Sequence, residues 1–157
     1  MADSKRSDHR SLTPYLIVAD GDAAIQRYAA AFGAQVIMRL RGAAGQIAHA
    51  ELRLGEAALM LAQATPDMKV AVTPTDHWPT VSLMLSVDDC DAAYARAMAA
   101  GLTTEQPPTD WFYGERSAKL RDPDGHRWSL TCTTEALTEA EIQQRLNALS
   151  SEAAESE

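Results

Sequence analysis

The chain repeats itself at an offset of 69 residues, and no other feature restricts its fold as strongly. Leu16, Val18, Asp20, Asp22, Ala23, Ala24, Arg27, Ala30 and Ala31 recur as Leu85, Val87, Asp89, Asp91, Ala92, Ala93, Arg96, Ala99 and Ala100, nine identities in a window of sixteen. Each copy reads as a short apolar strand, an acidic turn and an amphipathic helix, so the chain carries one supersecondary unit twice. Within 157 residues, halves of about 50 residues would be marginal alone, so they are expected to share one core. A ligand between two such halves would be gripped from both sides.

Residues 1–11 are charged and serine-rich, without periodicity, and read as a flexible arm. The first module, 12–62, opens with an alternating strand from Leu12 to Val18. Asp20 or Asp22 can cap a helix from Ala23 to Phe32, whose Ile25, Tyr28, Ala29 and Phe32 line one face and which Gly33 ends. Strands follow at 35–40, 46–54 and 57–62. The linker 63–80 is proline-rich and aperiodic, contains His77 and Trp78, and reads as a cover for a site.

The second module, 81–132, repeats the order with a strand at 81–87, a helix at 91–100 and strands near 103–106, 116–121 and 127–132. A loop from Pro107 to Glu115 carries Trp111, Phe112 and Tyr113, and Asp122-Pro123-Asp124-Gly125 is a turn between the last two strands. Residues 12–135 thus read as a single domain. In the remaining segment, 136–157, Thr138 and Glu141 form a capping box for a helix with an Ile142, Leu146 and Leu149 stripe, followed by an acidic tail.

Composition removes several function classes. A net charge of -8 argues against a nucleic-acid partner, since phosphate binding needs concentrated Lys and Arg. No apolar run approaches the ~20 residues that span a bilayer, and the polar opening Met-Ala-Asp-Ser-Lys-Arg-Ser-Asp is unlike a signal peptide. Cys90 and Cys132 lack metal-ligand or CxxC spacing and fit inert thiols in a reducing cytoplasm. GxSxG, P-loop, GxGxxG and HExxH signatures are missing.

Leu16-Ile17-Val18-Ala19-Asp20 at the start of module one and Asp122-Pro123-Asp124-Gly125-His126-Arg127-Trp128 at the end of module two resemble the glyoxalase/bleomycin-resistance/dioxygenase superfamily, the vicinal oxygen chelate (VOC) proteins. Phe112-Tyr113-Gly114-Glu115-Arg116-Ser117 further resembles its PhnB-like branch. The resemblance covers residues 12–132 and implies an α+β fold: two tandem βαβββ modules with curved mixed sheets forming a cleft, plus the C-terminal helix. It also implies where metal-dependent members carry ligands, usually His or Glu, on the first and last strands of each module. Here those positions fall at Thr13, Met60, Ser82 and Ser129, which the 69-residue offset relates in pairs. Hydroxyls and a thioether bind divalent metals poorly, so no metal and no cofactor is expected.

If those four side chains face the cleft, strand alternation turns Tyr15, Ile17, Ala58, Ala62, Met84, Ser86, Arg127 and Thr131 the same way. Leu12, Leu16, Val18, Leu59, Leu61, Leu83, Leu85, Val87, Trp128 and Leu130 then pack under the helices. On the strand at 46–54 the apolar set Ala48, Ala50, Leu52 and Leu54 leaves Ile47, His49, Glu51 and Arg53 to the cleft, and the repeat transfers that face to Arg116, Ala118 and Leu120. His49 and Glu51 are the candidate catalytic pair, an imidazole oriented by a carboxylate. Tyr15, Met60, Met84, Trp111, Tyr113, Arg116, Arg127 and Ser129 are candidate ligand-binding residues, with aromatic stacking and bidentate arginine contacts suited to an oxygen-rich or anionic molecule.

Plainer roles stand beside these. The His49–Glu51 pair can be a hydrogen bond on a solvated face, the loop aromatics can plug a core edge or an interface, and Arg127 can be a surface ion-pair partner. The favoured expectation is a cytoplasmic, metal-independent small-molecule-binding protein that sequesters an antibiotic or metabolite, a homodimer whose paired sheets enclose two clefts. The alternative is a lyase or isomerase using His49 and Glu51, with or without a non-standard metal.

Overall fold

The computed structural model describes residues 12–72, 74 and 76–155, the last four as backbone only, so the arm at 1–11 and the end of the acidic tail lie outside the described residues. In chain order the elements are β1 (Tyr15–Val18), α1 (Gly21–Phe32), β2 (Gln35–Arg41), β3 (Ile47–Leu54), β4 (Ala57–Gln63), β5 (Ser82–Ser86), α2 (Cys90–Ala99), β6 (Thr103–Asp110), β7 (Glu115–Arg121), β8 (Arg127–Thr133) and α3 (Glu139–Glu155). They form two curved four-stranded sheets of the same order, β1-β4-β3-β2 and β5-β8-β7-β6. β1 pairs with β4, and β5 with β8, in parallel; the other pairs are antiparallel.

Repeated residues do repeated work. The Asp20 carboxylate accepts a hydrogen bond from the Ala23 amide at 3.0 Å to cap α1, and Asp89 accepts one from the Ala92 amide at 2.9 Å to cap α2. Asp22 instead reaches across to Arg41, and Gly33, at φ 69°, turns the chain out of α1. α1 lies on β3 and β4, α2 lies on β6, β7 and β8, and the helices pack against each other. One core results, joining Leu16, Val18, Leu52 and Leu61 to Ala93, Ala97, Leu120 and Leu130. The other face of each sheet is therefore turned away from that core.

The Asp122-Pro123-Asp124-Gly125 turn fastens the second module to the first. Within the turn, Asp122 Oδ1 accepts the amides of Asp124 and His126 at 3.0 and 2.9 Å. Its Oδ2 accepts the Trp128 indole N–H at 3.1 Å and, from α1, the Tyr28 hydroxyl at 2.7 Å. Asp124 accepts the Ala19 amide at 2.7 Å and the Arg27 guanidinium at 3.1 Å. Phe32 and Trp128 meet above this network with ring centroids 4.4 Å apart. Burial alone would raise the Asp122 carboxyl, but the His126, Tyr28 and Trp128 hydrogen bonds outweigh it and hold the group below the usual carboxylate range. Burial, then the neighbouring carboxylates, push the Tyr28 phenol far above its ordinary value, so it stays a donor.

Five expectations need correction. Leu12 is 89% exposed and does not join the core, and Ala29 lies on the solvent side of α1. Ile47 is fully buried: an irregularity in the β2–β3 pairing between Leu40 and Arg41 turns it toward Gly21, where even a Cβ on that glycine would lie 2.4 Å away. β6 continues through Pro107 and Pro108 to Asp110, which an edge strand tolerates because its outer N–H positions need no partner. The capping box opens α3 as expected, with Thr138 Oγ1 donating to Glu141 Oε2 at 2.7 Å, but Leu146 and Leu149 remain exposed.

Asp122→Ala should cost about 3–5 kcal/mol, since it orphans two buried donors on different elements, and urea unfolding will show it as a lower midpoint. Because the folded pKa lies below the unfolded one, this carboxylate stabilises fully above about pH 4 and its contribution fades as pH falls through the lower folded value. Asp122→Asn, which does not titrate, should flatten that part of the acid-unfolding curve.

Candidate functional site

Directly opposed residues of a ladder share a face, so the pairing sorts the outward side chains. On the first sheet Glu51 lies opposite Met60, and His49 and Glu51 lie opposite Leu40 and Met38. The Tyr15 hydroxyl is 3.0 Å from His49 Nδ1, and His49 Nε2 is 3.4 Å from Glu51 Oε1. A carboxylate only accepts, so Nε2 is the donor, and in the neutral imidazole Nδ1 accepts the Tyr15 proton. Glu51 is buried, His49 half-buried, and Tyr15 48% exposed, so the chain of groups runs from the sheet surface outward. Partial burial raises the Tyr15 phenol and keeps it protonated.

On the second sheet the pairs Ser117 with Thr131, Lys119 with Ser129, and Arg121 with Arg127 set the outward face. Gly114, at φ 80° and with no room for a Cβ beside the Glu135 carbonyl, lets the β6–β7 loop fold back. The Trp111 indole then donates to Ser117 Oγ at 2.8 Å, Tyr113 stacks on Trp111 at 5.9 Å, and Lys119 Nζ sits 5.8 Å from the Trp111 ring. Thr131 donates to Glu115 at 2.8 Å.

At the far end of this face the linker supplies Trp78, whose ring lies 5.6 Å from the Arg121 guanidinium and 5.5 Å from that of Arg127. Both arginines pair with Glu105, and Arg121 also donates to the His77 carbonyl at 2.6 Å. Burial would raise Glu105, but Arg127 and Arg121 more than offset it and hold the carboxyl low.

The structure thus gathers Tyr15, His49, Glu51 and Met60 on one face and Trp111, Tyr113, Arg127, Ser129 and Met84 on the other sheet's face, with Met84 68% exposed. Leu16, Val18, Leu59, Leu61, Trp128 and Leu130 pack under the helices. Arg116 is not on the cleft face. It binds Asp91 of α2 at 2.7 Å and Asp110 at 3.0 Å, while Ala118 and Leu120 are buried in the core. Four residues separate Arg53 from its partner Ala58, but five separate Arg121 from Arg127, and that extra residue inverts the faces of β7 relative to β3. Ser117, Lys119 and Arg121 consequently take the outward positions. Comparing the two connection lengths in the sequence would have exposed the inversion; nothing local to the linker would have placed Trp78.

The family model for the Glyoxalase/Bleomycin resistance protein/Dioxygenase superfamily matches residues 8–130. An uncharacterized protein of Mycobacterium bovis is 37% identical over 136 residues, covering 85% of this chain and 90% of the relative. An uncharacterized protein of Mycobacterium tuberculosis has the same identity over 85% of this chain and 80% of its own. Among solved structures, TioX from Micromonospora sp. ML1 aligns with a TM-score of 0.62 at 28% identity, covering 78% of this chain and 97% of TioX. The fosfomycin resistance protein FosX from Mesorhizobium loti aligns with a TM-score of 0.58 at 20% identity, over 85% and 97%, a likeness of fold alone.

The four positions that the resemblance assigns to a metal do not fit one. Thr13, Ser82 and Ser129 offer neutral hydroxyls and Met60 a thioether, and Lys119, a cation, lies directly opposite Ser129. Among the described residues no cluster of three His, Cys, Asp or Glu side chains is arranged to hold a metal. Protein purified in the presence of Zn²⁺, Ni²⁺ or Fe²⁺ should carry only substoichiometric metal by elemental analysis and should show no metal-dependent rise in melting temperature.

Proposed function

The chain belongs to the glyoxalase/bleomycin resistance protein/dioxygenase superfamily, and on that footing we propose that it is a metal-independent small-molecule-binding protein whose ligand lies on the curved sheet faces. The observation that carries this reading is the closed chain from Tyr15 through His49 to Glu51. Both imidazole nitrogens are engaged within the protein, so His49 positions the Tyr15 hydroxyl and has no free nitrogen to take a substrate proton. Shape, stacking and hydrogen bonding are enough for sequestration of an antibiotic or metabolite. Tyr15, Met60, Met84, Trp111, Tyr113, Arg127 and Ser129 supply them.

The outward faces are open in a single chain, with Tyr15 and Met84 exposed on them. We assign a second copy of the chain as their cover, giving a cytoplasmic homodimer. Phe112 to Ser117 supports placing it in the PhnB-like branch. No helix among the described residues is long and apolar enough to cross a membrane.

A second reading is favoured by the same three residues: a metal-free lyase or isomerase in which ligand entry displaces Tyr15 and frees His49 to act as base, with Glu51 orienting it. Calorimetry against a panel of flat, oxygen-rich compounds should find a saturable ligand that is recovered unchanged, and His49→Ala should weaken it about tenfold through loss of the Tyr15 hydrogen bond. A blank panel would overturn the binding reading, and chemical conversion of the ligand that His49→Ala abolishes would establish the enzyme instead. Sedimentation at micromolar concentration should give twice the 17.0 kDa chain mass.

A further inference from the structure

We propose that the outward face of the second sheet is a binding site for a planar aromatic molecule carrying an anionic group, with Lys119 as the anion's partner and Trp111 and Trp78 as walls. This rests on the small-molecule reading and names the ligand class for one of its two faces.

Three arginine or lysine side chains lie on this face, and they differ in how they are neutralised. Arg121 and Arg127 share the Glu105 carboxylate. Lys119 has no carboxylate partner among the described residues; its ammonium faces the Trp111 ring at 5.8 Å. Directly opposite stands the hydroxyl-bearing Ser129, and one strand further Met84 is paired in register with Ser129 and exposed. The Glu115 carboxylate is occupied by Thr131, two positions beyond Ser117 and toward the Tyr113 end. The face therefore carries two guanidiniums on one carboxylate at its Arg121 end and the Glu115 carboxylate at its Tyr113 end, and between them the Lys119 ammonium with no carboxylate of its own among the described residues. A cation beside an aromatic wall, with a hydroxyl next to it, matches a carboxylate or similar anion attached to a ring.

The walls come from two separate loops. Trp111 is held over the Ser117 end by its own indole hydrogen bond, and Trp78 is held over the Arg121 end by two guanidinium contacts while remaining 78% exposed. Ser117 and Arg121 are four residues apart on β7, so the strand positions beneath the two walls are separated by about 13 Å, a spacing longer than a small fused ring system. Trp78, which meets the two guanidiniums and is otherwise exposed, keeps ring surface for a second flat partner, whereas Trp111 already carries Tyr113 and Lys119 and bounds the site from its other end.

The test compares 2-naphthoate, 2-naphthylmethylammonium and octanoate by calorimetry, which separate the ring from the charge. The wild type should bind naphthoate at least tenfold more tightly than either of the others. Lys119→Met should erase the preference for anion over cation, Lys119→Arg should keep it, and Trp78→Leu or Trp111→Leu should erase the preference for ring over chain. Circular dichroism and unfolding midpoints establish that each variant is folded. No saturable naphthoate binding, or an anion preference that survives Lys119→Met, overturns the proposal. If either result is accompanied by another flat ligand whose binding depends on Tyr15 or His49, the broader binding reading stands and only this assignment falls.

Discussion

The buried Asp122 carboxylate is the fastening on which the rest of the molecule depends. It shapes its own turn through two backbone amides and at the same time accepts donors from β8 and from α1 of the other module. Without it the aromatic contact between Phe32 and Trp128 would have no polar frame, and α1 would lose its buried hydrogen bond to the second module. The outward direction of both sheet faces follows from that arrangement. A turn that reads in sequence as a simple hairpin connection is thus the main polar bridge between the halves.

Repetition sets up two similar faces, and a single added residue makes them chemically different. Glu51 opposes Met60 in the first sheet, whereas the corresponding pair in the second is Lys119 with Ser129. An acid stands where the other module has a base. The internal symmetry therefore supplies the scaffold twice but not the chemistry twice: one face carries a hydrogen-bonded Tyr15–His49–Glu51 chain, the other a cation flanked by tryptophans. Such divergence needs no change of fold, because strand side chains alternate with a period of two and a shift of one residue exchanges the whole set.

Loops decide how each face is furnished. Gly114 permits the tight return that lays Trp111 and Tyr113 over Ser117, and the proline-rich linker brings Trp78 to the opposite end. The Glu105 bridge holds both arginines against the sheet, so they support Trp78 from below while one carboxylate offsets part of their charge. Rigid strands and short side-chain contacts thereby position aromatic groups that would otherwise be free on the surface.

Periodicity and capping chemistry alone determined the two-module order, an acidic cap at Asp20 or Asp22, the Gly33 stop, and the separation of Leu16, Leu59, Trp128 and Leu130 from Tyr15, Met60 and Met84, because these depend on local dihedral preference and strand alternation. His49 and Glu51 were legible for the same reason. The facing of Arg116 and Ile47 was not, since it follows from cross-strand register, and the offset of 69 does not extend through a connection one residue longer. Nor could local pattern place Trp78 over Arg121 and Arg127 or join Tyr28 to Asp122. Those contacts bring together residues far apart in the chain, and only the packing of two sheets around one core makes them neighbours.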